Sequence, residues 1–382
     1  MTPSAKPTIA LVLSGGGARG AYQAGVLKGM ADFIDDSFPF RVITGVSAGA
    51  INAAAIASAP DTFRNATRAL EHAWLDLSID QVFKTSVGSL SWSLLRWLWL
   101  VTSGGICPDI SGLFDTRPLY RYLSTHLRLH GVDTNVDTGR LRALALSTTC
   151  YSTGRTITFV HGSSDIETWE RARRCAVRDK ITVQHVMASA ALPILFPAIQ
   201  LQDGYYGDGS IRQSSPLAPA IHLGANRLLT ISLRYGSEQD EQTEQQISGR
   251  PPPAQILGLM LHSIFLDALE NDAERLMRIN RTLQHVSPDA QAPDHLRSID
   301  LFILRPSQNL GKLAYDLARS LPYTIRTIAS GLGSSNTKSP DFLSYLLFER
   351  AYIERLLELG YQDAHAYAED IKRFFSPLTE SG

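Results

Sequence analysis

The sequence predicts an α/β fold with a mostly parallel central sheet, and three observations lead to it. Short apolar segments typical of buried strands alternate with segments of helical periodicity. Glycine-rich turns follow the first two apolar segments directly, at residues 14–20 and 45–49. Hydrophobic residues make up 44% of the chain and charged residues 19%, which is a globular composition.

The predicted elements follow one another along the chain. Strands are predicted at residues 8–13, 41–44, 141–148, 156–160 and 227–233. Helices are predicted at residues 21–33, 48–57, 63–75 and 183–191, with another that begins near Pro118 and ends at Leu127. Residues 152–154 are typical of a hairpin loop between two of the strands.

Three regions are predicted. Residues 1–235 are predicted to form the α/β domain, and residues 236–254, polar and ending in three prolines, a loop or linker. Residues 255–382 form a mostly helical extension packed on the catalytic domain, with a strand near residues 299–304. Periodicity alone also allows a small second domain there.

Charge and cysteine content exclude several classes of protein. The chain has 36 basic and 37 acidic residues, so no polybasic field is available for nucleic acid. Its cysteines (Cys107, Cys150 and Cys175) are odd in number and far apart, which excludes a disulfide framework and a CxxC zinc site. No His, Cys or carboxylate cluster has metal-ligand spacing, so no metal and no cofactor is expected.

No export signal or membrane span is predicted. The apolar run at residues 9–13 is too short for a signal peptide. The apolar window at residues 90–101 contains Arg96 and is shorter than the ~20 residues that cross a bilayer. We therefore expect a cytoplasmic protein, with export by a signal-independent system left open.

The first glycine-rich turn, residues 14–20, matches GxGxxG through Gly15, Gly17 and Gly20. Such a loop at a helix N-terminus favours any anion, because backbone amides can approach closely. A dinucleotide site would also require an acidic residue at the end of strand two, and that strand ends without one. A nucleotide-binding module remains the alternative from a different class.

The second turn has the GxSxG pattern of a nucleophile elbow, with Ser47 between Gly45 and Gly49. Small residues on both sides permit the sharp turn that projects the serine hydroxyl above a sheet. Because parallel strands end at one edge, the amides of Gly15, Gly16 and Gly17 are expected to face the carbonyl that Ser47 attacks.

A serine nucleophile needs a base, and two Asp-Gly pairs compete for that role. Asp203 precedes Gly204 in a predicted hairpin turn, so its expected role is structural. Asp208 ends the second strand of that hairpin and is the candidate base. No metal is needed for this chemistry.

Together with residues 188–197, these three motifs resemble the patatin-like phospholipases, over roughly residues 7–235. The resemblance implies a three-layer α/β sandwich and a Ser–Asp dyad in which Ser47 is the nucleophile and Asp208 the base. It also implies that Gly15, Gly16 and Gly17 form an oxyanion hole, supported by Arg19 and Gly20. Ser210 departs from the family, which more often has a second glycine there.

The implied activity is hydrolysis of lipid carboxylic esters, of phospholipase A or lysophospholipase type. A lipid acyltransferase or a neutral-lipid esterase would use the same dyad, and a non-enzymatic scaffold is a further alternative. A Ser–His–Asp triad is weighed as well, because five histidines follow Asp208. None of the five lies in a matching motif; they are His222, His262, His285, His295 and His365.

Two further expectations concern the surroundings of the site. Arg19 either braces the glycine loop or meets a lipid phosphate, and bracing is the preferred interpretation because the turn is crowded. Trp92, Trp97 and Trp99 are candidate lipid-contact residues at a peripheral membrane surface, with a buried cap helix as the alternative. Head group, chain length and oligomeric state are not predicted.

Overall fold

The computed structural model describes residues 7–34, 37–84, 112, 114–201, 204–236, 253–285, 296–317 and 340–376. The strands are β1 (Ile9–Leu13), β2 (Val42–Gly45), β3 (Ala143–Cys150), β4 (Thr156–Gly162), β5 (Glu170–Arg171), β6 (Arg174–Arg178), β7 (Ile199–Leu201), β8 (Gly204–Asp208), β9 (Arg227–Ile231) and β10 (Asp300–Leu304).

The helices surround this sheet. They are α1 (Gly20–Met30), α2 (Ala48–Ala57), α3 (Phe63–Asp76), α4 (Ile79–Val82), α5 (Arg117–His126), α6 (His130–Asp137), α7 (Val183–Ser189), α8 (Ala218–His222), α9 (Pro253–His262), α10 (Ala268–Gln284), α11 (Leu310–Leu317), α12 (Pro340–Leu346), α13 (Arg350–Ala366) and α14 (Ala368–Phe375). A π-helical turn (Ser263–Asp267) joins α9 to α10.

The described strands form one sheet in the order β10-β9-β1-β2-β3-β4-β6-β5, and the β7–β8 hairpin is attached to β3. Pairing is parallel from β10 through β3. It is antiparallel between β3 and β4 and between β3 and β8. The predicted α/β class with a mostly parallel sheet is confirmed, and the C-terminal region contributes both helices and the edge strand β10.

Alternate residues of the central strands serve two separate cores. Leu11 and Leu13 of β1 pack with helices α1 and α2, whereas Ala10 and Val12 pack with α8 and α10 on the other face. Because successive side chains of a strand point to opposite faces, an uninterrupted apolar strand requires helices on both sides. The result is a three-layer sandwich.

Helix α13 of the C-terminal region lies directly against α1. A Cβ on Gly25 would come within 2.1 Å of the Leu357 carbonyl oxygen, and a Cβ on Gly360 within 2.3 Å of the Tyr22 carbonyl oxygen. Glycine is therefore required at both positions for the two backbones to approach. At the same contact the buried Tyr22 hydroxyl donates a hydrogen bond of 2.9 Å to Asp363.

Element boundaries differ modestly from the sequence prediction. Strand β3 begins and ends two residues later than predicted, and the hairpin at 152–154 is confirmed by β3–β4 pairing. The short strands β5 and β6 were not predicted, because their polar sequence at the sheet edge lacks an apolar signal. Among the described residues, no helix has the length and hydropathy needed to span a bilayer.

Candidate active site

Ser47 occupies the turn between β2 and α2 in a conformation that L-residues rarely adopt, with φ 55° and ψ −129°. Such backbone strain is concentrated at functional sites. A Cβ on Gly49 would lie 2.3 Å from the Leu13 carbonyl oxygen, so only glycine allows α2 to start this close to β1. A Cβ on Gly45 would likewise lie 2.4 Å from the Gly49 carbonyl oxygen. The predicted GxSxG segment thus forms a sharp strand-to-helix turn.

Ser189, at the end of α7, anchors this turn. Its hydroxyl accepts a hydrogen bond from the Ser47 amide at 3.1 Å and donates one to the Ser147 carbonyl oxygen at 2.7 Å. Ser189 is fully buried, so the contact is shielded from solvent. Sequence reasoning assigned no role to Ser189, although it lies in the segment 188–197 that contributed to the family resemblance.

Asp208 ends β8 and is completely buried. Its position follows from the antiparallel register with β3, in which Asp208 pairs with Thr148. The Thr149 hydroxyl donates to the Asp208 carbonyl oxygen at 2.8 Å. Carboxylate Oδ1 accepts a hydrogen bond from the Ser210 amide at 2.9 Å. The Ser47 and Ser210 hydroxyls lie near the carboxylate, but no described group reaches Oδ2 at hydrogen-bond geometry.

The environment of Asp208 favours its neutral form. Burial raises the pKa of this carboxyl to about 6, against the lowering effect of the Ser47 hydroxyl and of the Ser210 amide and hydroxyl. The pKa of the nearby Tyr151 hydroxyl is also raised, by burial and by the negative charge of Asp208. A carboxylate with a pKa near 6 is a better proton acceptor than an exposed aspartate.

The glycine loop lies against the serine. A Cβ on Gly15 would be 2.9 Å from Ser47 Cβ and 2.7 Å from Ser210 Oγ. Within the described ranges, no group accepts a hydrogen bond from the amides of Gly15, Gly16 or Gly17. The loop therefore lies beside Ser47, and no described group occupies its three amides.

Arg19 is buried and turned toward the C-terminal region. Its Nε donates to the Ser344 hydroxyl at 2.8 Å, and its guanidinium lies over the Tyr345 ring, 4.2 Å from the centroid. A Cβ on Gly17, whose φ is 55°, would meet the Tyr345 carbonyl oxygen at 2.1 Å. Arg19 thus braces the loop through the Ser344 hydroxyl and the Tyr345 ring.

A cavity of about 390 Å³ extends from Ser47 between α2, α3 and α5. Ile51 and Ala55 of α2, and Ala59 just after the helix, line one side of the cavity. Since each helical residue advances 1.5 Å, the path from Ser47 to Ser58 is roughly 16 Å. Polar residues line the far end, among them Asp61, Asn65, His126 and Arg128. The wall is otherwise mostly apolar, and sequence reasoning did not identify this cavity.

The histidine alternative finds no support in this geometry. Because Asp208 Oδ2 has no partner and Oδ1 bonds to an amide, no described histidine pairs with this carboxylate. His222 lies at the end of α8, as predicted, and stacks on Trp169. Burial lowers its pKa to about 4. In the part of the chain that the structure describes, no cluster of three His, Cys, Asp or Glu residues could hold a metal.

Some predicted residues lie outside the described ranges. They are Asp203, the three tryptophans Trp92, Trp97 and Trp99, and Cys107. Most of the predicted linker, residues 237–252, also lies outside them, so the division into three regions stays a prediction.

The patatin-like phospholipase family model matches residues 11–221, more than half of the chain. The chain belongs to this family. Membership supports lipid-hydrolase activity in general. No protein in the curated collection matches the chain significantly.

Solved structures similar to the chain have low sequence identity. VipD of Legionella pneumophila is 11% identical with a TM-score of 0.37, and the match covers 96% of this chain and 67% of VipD. Human GIVD cytosolic phospholipase A2, in complex with methyl γ-linolenyl fluorophosphonate, is 13% identical with a TM-score of 0.43 and coverages of 97% and 58%. The type III effector ExoU is 14% identical with a TM-score of 0.38 and coverages of 97% and 54%. The chain thus spans little more than half of these last two proteins.

Proposed function

We propose that this protein is a serine acyl hydrolase that cleaves carboxylic esters of lipids, of phospholipase A or lysophospholipase type. One observation carries the proposal: Ser47 lies at the junction between an apolar cavity and a buried carboxylate with a raised pKa. The cavity supplies a place for an acyl chain, and the carboxylate supplies a base. A lipid ester requires both.

In the first half-reaction Asp208 accepts the proton of the Ser47 hydroxyl as Ser47 Oγ attacks the ester carbonyl carbon. Oδ2 of Asp208 suits this role because no other described group hydrogen-bonds to it. The pKa of about 6 leaves the carboxylate ionised at neutral pH while keeping it basic. Collapse of the tetrahedral intermediate releases the alcohol, which takes the proton, and leaves an acyl-Ser47 ester.

The negative charge that develops on the carbonyl oxygen needs donors that are already in place. The amides of Gly15, Gly16 and Gly17 are available, since no described group accepts from them. Arg19 and the C-terminal residues packed on Gly17 support this loop on the side away from the ester.

Apolar residues along α2 and α3 would bury the acyl chain, at a gain of about 0.8 kcal/mol per methylene. Because the cavity is lined from Ser47 to Ser58, a helical path of roughly 16 Å, it has room for a long chain rather than only an acetyl group. We therefore favour long-chain lipid esters over small soluble esters as the natural substrates.

Contact with a lipid surface is part of the proposal. Ile194 is 65% exposed at φ 69°, which is strained for a β-branched residue. It lies between two residues of the cavity wall, Leu192 and Phe196. An exposed apolar side chain beside the cavity suits a peripheral lipid contact.

The test is release of free fatty acid from phospholipid vesicles and from a short soluble ester, by wild type and by Ser47→Ala. We expect the wild type to hydrolyse both and Ser47→Ala to lose at least about a thousandfold in rate on each, because the nucleophile is gone. Circular dichroism of both proteins serves as the folding control.

Other outcomes would redirect the proposal. Cleavage of the ester with vesicles spared would favour a neutral-lipid esterase, and fatty acid appearing mainly on an added alcohol acceptor would favour an acyltransferase. Unchanged hydrolysis in Ser47→Ala would contradict the assignment of the nucleophile.

A further inference from the structure

Ser210 is a buried residue of the site that the mechanism above leaves without a role. It follows Asp208 and Gly209 in a short 3-10 turn and is 7% exposed. Its amide holds Asp208 Oδ1, and its hydroxyl lies close enough to the carboxylate to lower the pKa of Asp208, but the hydroxyl oxygen has no described partner at hydrogen-bond geometry. A buried hydroxyl without a partner is costly, so its presence calls for a functional explanation.

The position of this hydroxyl is set by its neighbours. Ser210 Oγ lies 2.7 Å from the place where a Cβ on Gly15 would stand, and Ser47 Cβ lies 2.9 Å from the same point. The ring of Phe265 closes over that point at 2.8 Å. Ser210 therefore borders the glycine loop and Ser47 together, beside the carboxylate it follows.

Two neighbouring buried oxygens, Ser210 Oγ and Asp208 Oδ2, have no described partner at hydrogen-bond geometry. The two are complementary, because a hydroxyl both donates and accepts while a carboxylate only accepts. A water molecule that donates to Oδ2 and accepts from Ser210 would satisfy both. Buried waters typically bind in this way, between polar groups that are otherwise unsatisfied.

The acyl cavity does not reach the side of Ser47 on which Asp208 and Ser210 lie. Gly17, Ser47 and Ala48 line the cavity, whereas neither Asp208 nor Ser210 is among its described lining residues. An acyl chain held in the cavity would not occupy the space beside Asp208 and Ser210. Acyl chain and water thus have separate places around the nucleophile.

Resting on the proposed function, we propose that Ser210 is a further active-site residue, whose hydroxyl holds the water that discharges acyl-Ser47. The water oxygen forms a bond to the acyl carbonyl carbon as its proton passes to Asp208 Oδ2. The bond from that carbon to Ser47 Oγ then breaks, Asp208 returns the proton to Ser47 Oγ, and a carboxylic acid leaves. A glycine at position 210 would preserve the amide contact to Asp208 but not the water contact.

The experiment separates the two half-reactions in wild type, Ser210→Ala and Ser210→Gly. Reaction with p-nitrophenyl butyrate is followed by the initial burst of p-nitrophenol, which reports acylation. Intact-mass spectrometry after rapid desalting follows loss of the butyryl group from Ser47, which reports deacylation. Ser215→Ala is the matched control, since Ser215 is buried on the same loop but contacts Arg275.

We expect burst rates within about twofold of wild type and an acyl-enzyme lifetime about tenfold longer in both Ser210 variants, as one lost hydrogen bond to the reacting water predicts. Ser215→Ala should match wild type in both measurements. Using two variants guards against a packing defect specific to one of them.

An unchanged acyl-enzyme lifetime in both variants would overturn the inference. A slower burst with an unchanged lifetime would overturn it as well, and would assign Ser210 to stabilisation of the oxyanion instead. If wild type forms no acyl-Ser47, the proposed function itself fails, and that result differs visibly from a failure of the water-holding role.

Discussion

Residues 7–236 and residues 253–376 differ sharply in what they contribute to the site. The first part carries Ser47, Asp208 and the glycine loop, together with the described walls of the cavity apart from Phe348. The second part carries none of the reacting groups, yet it packs on the loop that would hold the oxyanion. Ser344 and Tyr345 contact Arg19. The Tyr345 carbonyl oxygen lies so close to Gly17 that no side chain would fit at that position.

The difference teaches that chemistry and positioning are divided between the two parts. Oxyanion stabilisation depends on donors that are held in place before the reaction. The glycine loop has few side chains of its own to hold it, so the contacts of the C-terminal part restrict it. Variants of the candidate reacting groups in the first part should therefore abolish turnover, and variants of the loop contacts in the second part should reduce it.

The largest expected effect is that of Asp208→Asn, which removes the base. Turnover should fall about a thousandfold, within the range reported for lost general bases. Wild-type activity should rise with pH through the Asp208 pKa of about 6, because the base must be ionised. Initial rates between pH 4 and 8 with a soluble ester measure both effects.

The same variant should be more stable than wild type at neutral pH. The folded-state pKa of Asp208 is raised from 3.8 to about 6, so the folded protein binds this proton more tightly than the unfolded chain. The free energy of unfolding of the wild type therefore falls as pH rises from about 4 through 6. Asparagine carries no titrating proton at this position, so the variant does not lose this stability, which is of the order of 1–3 kcal/mol.

The matched control is Asp272→Asn in the C-terminal part. Asp272 is also buried with a raised pKa, and it accepts the Leu217 amide at 3.0 Å. The Asp272→Asn variant should keep the turnover rate of the wild type. Comparable loss of turnover in both variants would break the division between the two parts.

A smaller effect is expected from Ala55→Leu, which fills part of the cavity. Rates on a long-chain ester relative to a butyryl ester should fall about tenfold, equivalent to roughly two methylenes denied burial. Ala351→Leu, on the exposed face of α13, is the control. Equal losses on short and long esters would show that the cavity does not receive the acyl chain.

The smallest effect is expected from Ser344→Ala, which removes the hydroxyl that accepts from Arg19. The kcat for a soluble ester should fall about twofold to tenfold with KM unchanged, because one hydrogen bond to a charged group is lost. Ser263→Ala, at an exposed position, is the control. A loss as large as that of Asp208→Asn would mean that the C-terminal part contributes a reacting group.

The motifs were predictable because each depends on local backbone geometry. Gly45 and Gly49 flank Ser47, since a sharp strand-to-helix turn excludes larger side chains. The ends of β1 and β2 are adjacent because parallel strands place their carboxyl ends at one edge. From these rules the sequence indicated both the fold class and the approach of the glycine loop to Ser47.

Other features depend on contacts between residues far apart in the chain. The anchoring of Ser47 by Ser189 spans 142 positions, and the contact of Arg19 with Ser344 spans 325. Single serines carry no periodicity, so no pattern could identify them. The strands β5 and β6 were missed for a related reason, because edge strands do not need apolar faces.

The sequence by itself determined the α/β class, the nucleophile candidate Ser47, the base candidate Asp208 and the loop of Gly15, Gly16 and Gly17. Only the tertiary structure decided the pKa of the candidate base and the shape of the cavity beside Ser47. Burial of Asp208 under several elements raises its pKa, and α2, α3 and α5 together enclose the cavity. Desolvation and enclosed volume are properties of packed surroundings, and no local stretch of sequence contains them.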